Sequence, residues 1–219
     1  MCFSATASFL TAGMTGVIGG MTLRRARTFR ELPLAAMPLM FAVQQGAEGG
    51  LWLSLSMDDP GNWAWLLTQV FLTLALVIWP VYAPGVALML EPSGFRRRIM
   101  QFSALCGVGV ASFFLVQLVT VRHEGYISGH HILYRTDIDA PVVAGGIYLM
   151  ATALALLVSS YRAVSALGAI VFAGSIIAYV FYADVFVSVW CFFAAASSFV
   201  ILAHFEVASR AARKALSST

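Results

Sequence analysis

Seven stretches of this chain are continuous, apolar and long enough to cross a bilayer's hydrocarbon core as helices. That crossing takes about 20 residues, with a range of about 17–25. The stretches fall near residues 3–23, 33–57, 63–90, 101–121, 142–160, 165–183 and 185–208. A barrel is excluded, because its strands run about ten residues with strict in/out alternation. Composition agrees: 60% of the 219 residues are apolar and 11% charged, against roughly 25% charged in a soluble domain. So few polar residues cannot cover a water-facing surface. The expected fold is an all-α integral membrane protein, a seven-transmembrane-helix bundle forming one domain over residues 1–210. A short cytoplasmic tail, 211–219, is expected to follow.

Charge placement sets the orientation, because Lys and Arg of short loops stay on the cytoplasmic side. Arg24, Arg25, Arg27 and Arg30 follow the first span, Arg96 to Arg98 the third, Arg162 the fifth, and Arg210, Arg213 and Lys214 the seventh. These are eleven of the thirteen basic residues, and a seven-span chain with its N-terminus outside and its C-terminus cytoplasmic puts them all on one side. The formal charge of +3 is therefore a topology signal rather than a nucleic-acid footprint, which needs one continuous basic face. The N-terminal run has no basic n-region and is followed by arginines, so it reads as an uncleaved first span. Cys2, Cys106 and Cys191 form no CxxC pair and no disulfide framework. The longest connection, 122–141, lies outside, holds His123, His130 and His131, and is apolar enough in its second half to rest on the membrane interface as a lid. Pro80 and Pro84 are expected to kink the third span.

Ionisable groups inside a span mark function by default. Glu91, Glu206 and His204 lie at inner span ends, where Glu91 with Arg96 to Arg98 and Glu206 with Arg210 read as interfacial ion pairs. Glu48 is different. It sits nine residues before the outer end of the second span, about 13 Å down the helix, too deep for its side chain to snorkel to water. Gln44, Glu48 and Trp52 share its face, Gln45 adjoins them, and Gly46, Gly49 and Gly50 allow a neighbouring backbone to come close. On the last span Asp184, Ser188 and Cys191 make a small polar stripe, with Cys191 about 10 Å deep, near the level of Glu48. Gln69, Gln117, Tyr179 and Tyr182 point to the same outer half. A Ser4, Ser8, Thr11 and Thr15 stripe on the first span reads as helix packing. Removal of Met1 would expose Cys2 as an N-terminal thiol able to chelate or attack.

These groups predict an outward-opening polar pocket. Its expected chemistry is that of a membrane-embedded enzyme for a lipid-like or small apolar substrate, with Glu48 as acid/base and Cys191 and Cys2 as thiolates. His123, His130 and His131, with Cys2, Cys191 and Glu48, are the candidate ligands of a zinc or copper ion. The alternatives are a proton- or cation-coupled transporter working through Glu48, and a non-catalytic assembly subunit. A retinal protein is excluded because Lys214, in the tail, is the sole lysine. A bis-histidine haem is not expected, since His204 and the loop histidines lie at opposite ends.

The opening Met-Cys-Phe-Ser-Ala-Thr-Ala-Ser-Phe, Gln44-Gln45 with Glu48-Gly49 and Trp52, Trp79-Pro80-Val81, Glu91-Pro92, His131-Ile132 with Tyr134, and Ser188-Val189-Trp190-Cys191-Phe192-Phe193 resemble an uncharacterised family of small bacterial multi-span membrane proteins. The likeness runs from residue 2 to about 205. It implies a bacterial inner-membrane location and carries no activity. Seven-span metal-dependent hydrolases such as alkaline ceramidases differ: they hold zinc through three helix histidines, two as a late His-x-x-x-His pair. Here only His204 stands in that region.

Overall fold

A computed structural model describes residues 4–59, 61–135, 141–182 and 185–217. Helix α1 spans Ala5–Leu23 and α2 Leu32–Leu55. Helix α3 covers Gly61–Leu90 with a π-helical segment, Thr73–Ile78, in its middle. Helix α4 spans Phe95–Thr120. A hairpin of β1, Glu124–Ser128, and β2, His131–Arg135, precedes α5, Val143–Leu157, which has its own π segment at Met150–Leu154. Helix α6 spans Arg162–Phe181, α7 Phe186–Ala196 and α8 Ser198–Ser217, the last two broken only at Ser197. The expected tail is thus helical up to Ser217. Contacts run from α1 to α2, α2 to α3, α3 to α4, α4 and α3 to α5, α5 to α6 and α6 to α7, and α8 returns to α1 to close the ring.

Among the described residues four helices are long and apolar enough to cross a membrane: Gly61–Leu90, Phe95–Thr120, Arg162–Phe181 and Phe186–Ala211. This is the pattern of a multi-pass membrane protein. Large apolar side chains such as Leu105, Val119 and Phe181 are more than 70% exposed on the outside of the bundle, where only hydrocarbon would be a good solvent for them.

Close approach holds the first two helices together. Phe9 lies on Gly49, where an added Cβ would sit 3.0 Å from its ring, and the Gly19 position abuts Leu39. The stripe on α1 serves this packing: Thr11 and Thr15 bond back to the carbonyls of Ala7 and Thr11, and Ser4 caps the helix through Ala7 N–H. In α3 the prolines have two consequences. Pro80 has no N–H for the turn before it, and that turn is the widened π segment, whose Ala75 carbonyl is left to accept from Tyr148 OH at 2.6 Å. Pro84 strips the Pro80 carbonyl of its intrahelical donor. Helix α4 packs against that carbonyl at Gly107, where any Cβ would lie 1.9 Å from the oxygen.

Glu91 does not form the expected ion pair. Its carboxylate accepts from Ser159 Oγ at 3.1 Å and Ser160 N–H at 2.9 Å, while Arg97 donates to the Leu88 and Glu91 carbonyls. A carboxylate at this helix end ties the α5–α6 turn by accepting from two of its donors, and the arginine satisfies the final carbonyls of α3. Glu206 pairs with Arg25 at 2.5 Å and more loosely with Arg210 at 3.9 Å, joining α8 to the end of α1.

Candidate functional site

Helix α2 carries the centre of the site because its polar face meets three different elements. Glu48, fully buried, accepts at Oε1 from Ser188 Oγ of α7 at 2.5 Å and from Tyr134 OH of β2 at 3.3 Å. One turn away, Gln44 Nε2 donates to Cys191 Sγ at 2.9 Å, and Gln44 Oε1 accepts from Trp79 Nε1 of α3 at 2.6 Å. The spacing of four residues on α2 and three on α7 thus aligns two rungs, carboxylate to hydroxyl and amide to thiol. Trp79 is fixed in turn by stacking on Phe41, centroids 4.3 Å apart.

Tyr134 arrives from the hairpin, an element the sequence reading treated only as an interfacial lid. Residues 131–135 alternate in exposure, with Ile132 and Tyr134 turned inward. The two-residue turn uses Gly129 at φ +60°, which suits glycine. Gly125 comes so close to the bundle that a Cβ there would lie 3.1 Å from Thr68 Oγ1 and 3.2 Å from Leu51. Tyr134 stacks flat on Phe71, centroids 4.6 Å apart and planes 6° apart. The available signal was Ser128-Gly129 between two β-branched and aromatic runs.

Other predicted residues have mixed placements. Gln45 and Trp52 are buried on α2, and Ser8 is buried on α1. Neither amide atom of Gln45, nor Trp52 Nε1, nor Ser8 Oγ has a hydrogen-bond partner among the described residues. Buried polar atoms rarely stay unpaired. Gln69 and Gln117 are half-buried, and Gln117 uses its backbone carbonyl to accept from His123 Nε2 at 3.2 Å. Tyr179 is 68% exposed, edge-on to Phe186. Its position on α6 turns it away from the bundle, which corrects its assignment to the pocket. Tyr182 meets His131 at the mouth, centroids 5.9 Å apart. Cys2 and Asp184 lie outside the described residues.

The proposed metal ligands are not gathered. His123 is tied to the end of α4, His130 sits exposed on the hairpin turn, and His131 faces Tyr182. Glu48 and Cys191 hold neutral hydrogen-bond donors instead. Among the described residues no three His, Cys, Asp or Glu side chains are placed to hold an ion together. Burial keeps the His131 imidazole below its usual pKa range, with His130 adding to the effect.

Below the Gln44–Cys191 rung, toward the arginine-rich end, lies a cavity of about 40 Å³ lined mostly by apolar side chains. Phe41, Trp79, Tyr148, Val171, Trp190 and Cys191 border it. It exceeds the roughly 10–15 Å³ that a water needs, yet an apolar cavity of this kind stays dry and suits hydrocarbon. Polar groups above and an apolar chamber below can orient an amphiphilic molecule.

A family of unknown function, DUF6629, matches the chain over residues 1–217. No curated protein and no solved structure matches it.

Proposed function

The chain belongs to that family, DUF6629, and we propose that it is a membrane-embedded enzyme whose acid/base group is Glu48, acting on a lipid-like or small apolar substrate. The observation that carries this reading is the Ser188 hydroxyl donating to the buried Glu48 carboxylate at 2.5 Å, a nucleophile and its base within hydrogen-bond reach. Ser188 thereby takes the role first given to Cys191, whose sulfur accepts an amide hydrogen from Gln44. Glu48 draws the proton from the serine as it attacks and returns it to the leaving group, a contribution of roughly 10²–10⁴ in rate. Tyr134 reaches the same oxygen, so the hairpin closes the site from outside and must lift to admit substrate. The Ser8, Gln45 and Trp52 groups, without a partner among the described residues, suit the polar part of the substrate, and the chamber under Cys191, about 40 Å³, suits a small apolar group of it.

The same reading places seven spans in the bacterial inner membrane, with the N-terminus outside and the arginine-rich ends in the cytoplasm. The transporter alternative is less favoured, because the chamber between Glu48 and the cytoplasmic end is lined mostly by apolar side chains.

An alkyl fluorophosphonate added to membranes carrying the full chain tests the proposal. The expected result is an adduct on Ser188, formed at least a hundredfold more slowly in Glu48→Gln and normally in Cys191→Ala. An adduct elsewhere, or labelling unchanged by Glu48→Gln in protein of unaltered gel-filtration profile, would overturn it.

A further inference from the structure

At the opposite end of the bundle from the hairpin, a cavity of about 570 Å³ opens between the α1–α2 connection, the end of α3, the start of α6 and α8. Its size is that of a small-molecule pocket. Thr28, Arg30, Tyr161 and His204 supply the polar lining, and Phe29 and Leu90 the apolar part. The surrounding acids are already engaged. Glu31, also in the lining, turns its carboxylate back onto the N–H groups of Arg27 and Thr28 at 2.8 and 3.3 Å. Glu91 is held by Ser159 and Ser160, and Glu206 by Arg25. Arg30 has no ion-pair partner among the described residues. The first turn of the 24-residue α2, the positive end of its dipole, begins beside it.

We infer that this cavity is a binding site for the phosphate of an anionic phospholipid headgroup. A guanidinium, an imidazole and two hydroxyls line one cavity, where the Glu31 carboxylate is turned back onto backbone N–H groups and Glu206 is paired with Arg25, and arginine is the side chain best matched to phosphate oxygens. The lipid source follows from position. The cavity lies at the arginine-rich end of the helices, where the cytoplasmic headgroups of an anionic leaflet would be. Phe29, 78% exposed at its edge, offers an apolar surface for the glycerol and acyl carbons. The site is independent of Glu48 and of the proposed reaction.

Calorimetric titration of the full chain in dodecyl maltoside would test it, using dihexanoyl phosphatidylglycerol, dihexanoyl phosphatidylcholine and inorganic phosphate as ligands. Saturable binding of the phosphatidylglycerol is expected, at least tenfold tighter than either comparison ligand. Arg30→Gln and His204→Gln should each weaken it at least tenfold, whereas Arg96→Gln, a basic residue at the same end but outside the cavity, should leave it unchanged. Inorganic phosphate binding as tightly as the lipid would overturn the lipid as the source of the anion. No saturable binding, or an equal loss in Arg96→Gln, would overturn the site itself.

Discussion

Two adjacent glutamines show how far a single residue's role depends on its partner. Gln44 is fully used: its carbonyl takes the Trp79 indole N–H and its amide reaches Cys191. Gln45 is equally buried and has no partner among the described residues. Leaving a buried donor unpaired costs about 1–3 kcal/mol, whereas removing a polar group that was already unpaired costs nothing of that kind. Gln44→Leu should therefore lower the unfolding free energy by about 1–3 kcal/mol, because it strands Trp79 Nε1. Gln45→Leu should be neutral or stabilising by up to about 1 kcal/mol. Denaturant unfolding in detergent, followed by tryptophan fluorescence, would read both; equal losses would show that Gln45 has a partner like that of Gln44. Helix spacing put Gln44, Glu48 and Trp52 on one face, and depth put Cys191 near their level. That Gln44 would reach the sulfur while Ser188 met the acid depended on how α7 is rotated against α2. No spacing within either helix carries that angle. The Trp79 and Tyr134 partnerships come from elements 35 and 86 positions away along the chain, and they too were out of reach.

At the scale of elements, the hairpin is the piece least visible beforehand, since a run of five residues per strand is short beside seven helical stretches and its alternation is spoiled by two histidines at the turn. Its inner side holds Ile132 and Tyr134, and its edge places His131 against Tyr182. His131 has a lowered pKa, chiefly from burial, so the docked hairpin prefers the neutral ring. An undocked hairpin binds the proton more readily. Docking is therefore at full strength above the ordinary imidazole range, about pH 6.5, and weakens as pH falls through and below it. Amide exchange of residues 124–135, expressed as protection relative to intrinsic rates, should drop between pH 7.5 and pH 5. In His131→Gln the drop should vanish. Protection that rises on acidification would contradict the assigned direction. The π segments of α3 and α5 were equally hidden, although their cause in α3 was not: Pro80 was expected to disturb that helix, and the disturbance takes the form of a wide turn that gives its Ala75 carbonyl to Tyr148.

For the molecule as a whole, long apolar runs made the helices legible, and the helix bounds follow them within a few residues except where α4 and α8 extend into their arginine-bearing ends. Helices α1 and α2 are the informative exceptions to the apolar rule. They are 19 and 24 residues long and stand outside the set apolar enough to cross a membrane on composition alone. The residues that dilute them are those of the packing stripe and the site: Ser8, Thr11 and Thr15 in one, Gln44, Gln45 and Glu48 in the other. A bundle can shelter such helices by wrapping them, and α2 is covered by α1, α3, α7, α8 and the hairpin, so neither the carboxylate nor the amides need face lipid. Polarity in a span is then a sign of an interior position, and both helices should cross. Single cysteines placed at Asp59 and His130 on one end, and at Arg27 and Ser160 on the other, in a chain with its native cysteines replaced by alanine, would test this. An impermeant maleimide applied to intact cells should label the first two and should reach the second two only after permeabilisation. Labelling of Arg27→Cys from outside would mean that α1 and α2 do not both span, and Glu48 would then lose the bilayer-embedded setting on which its proposed role depends.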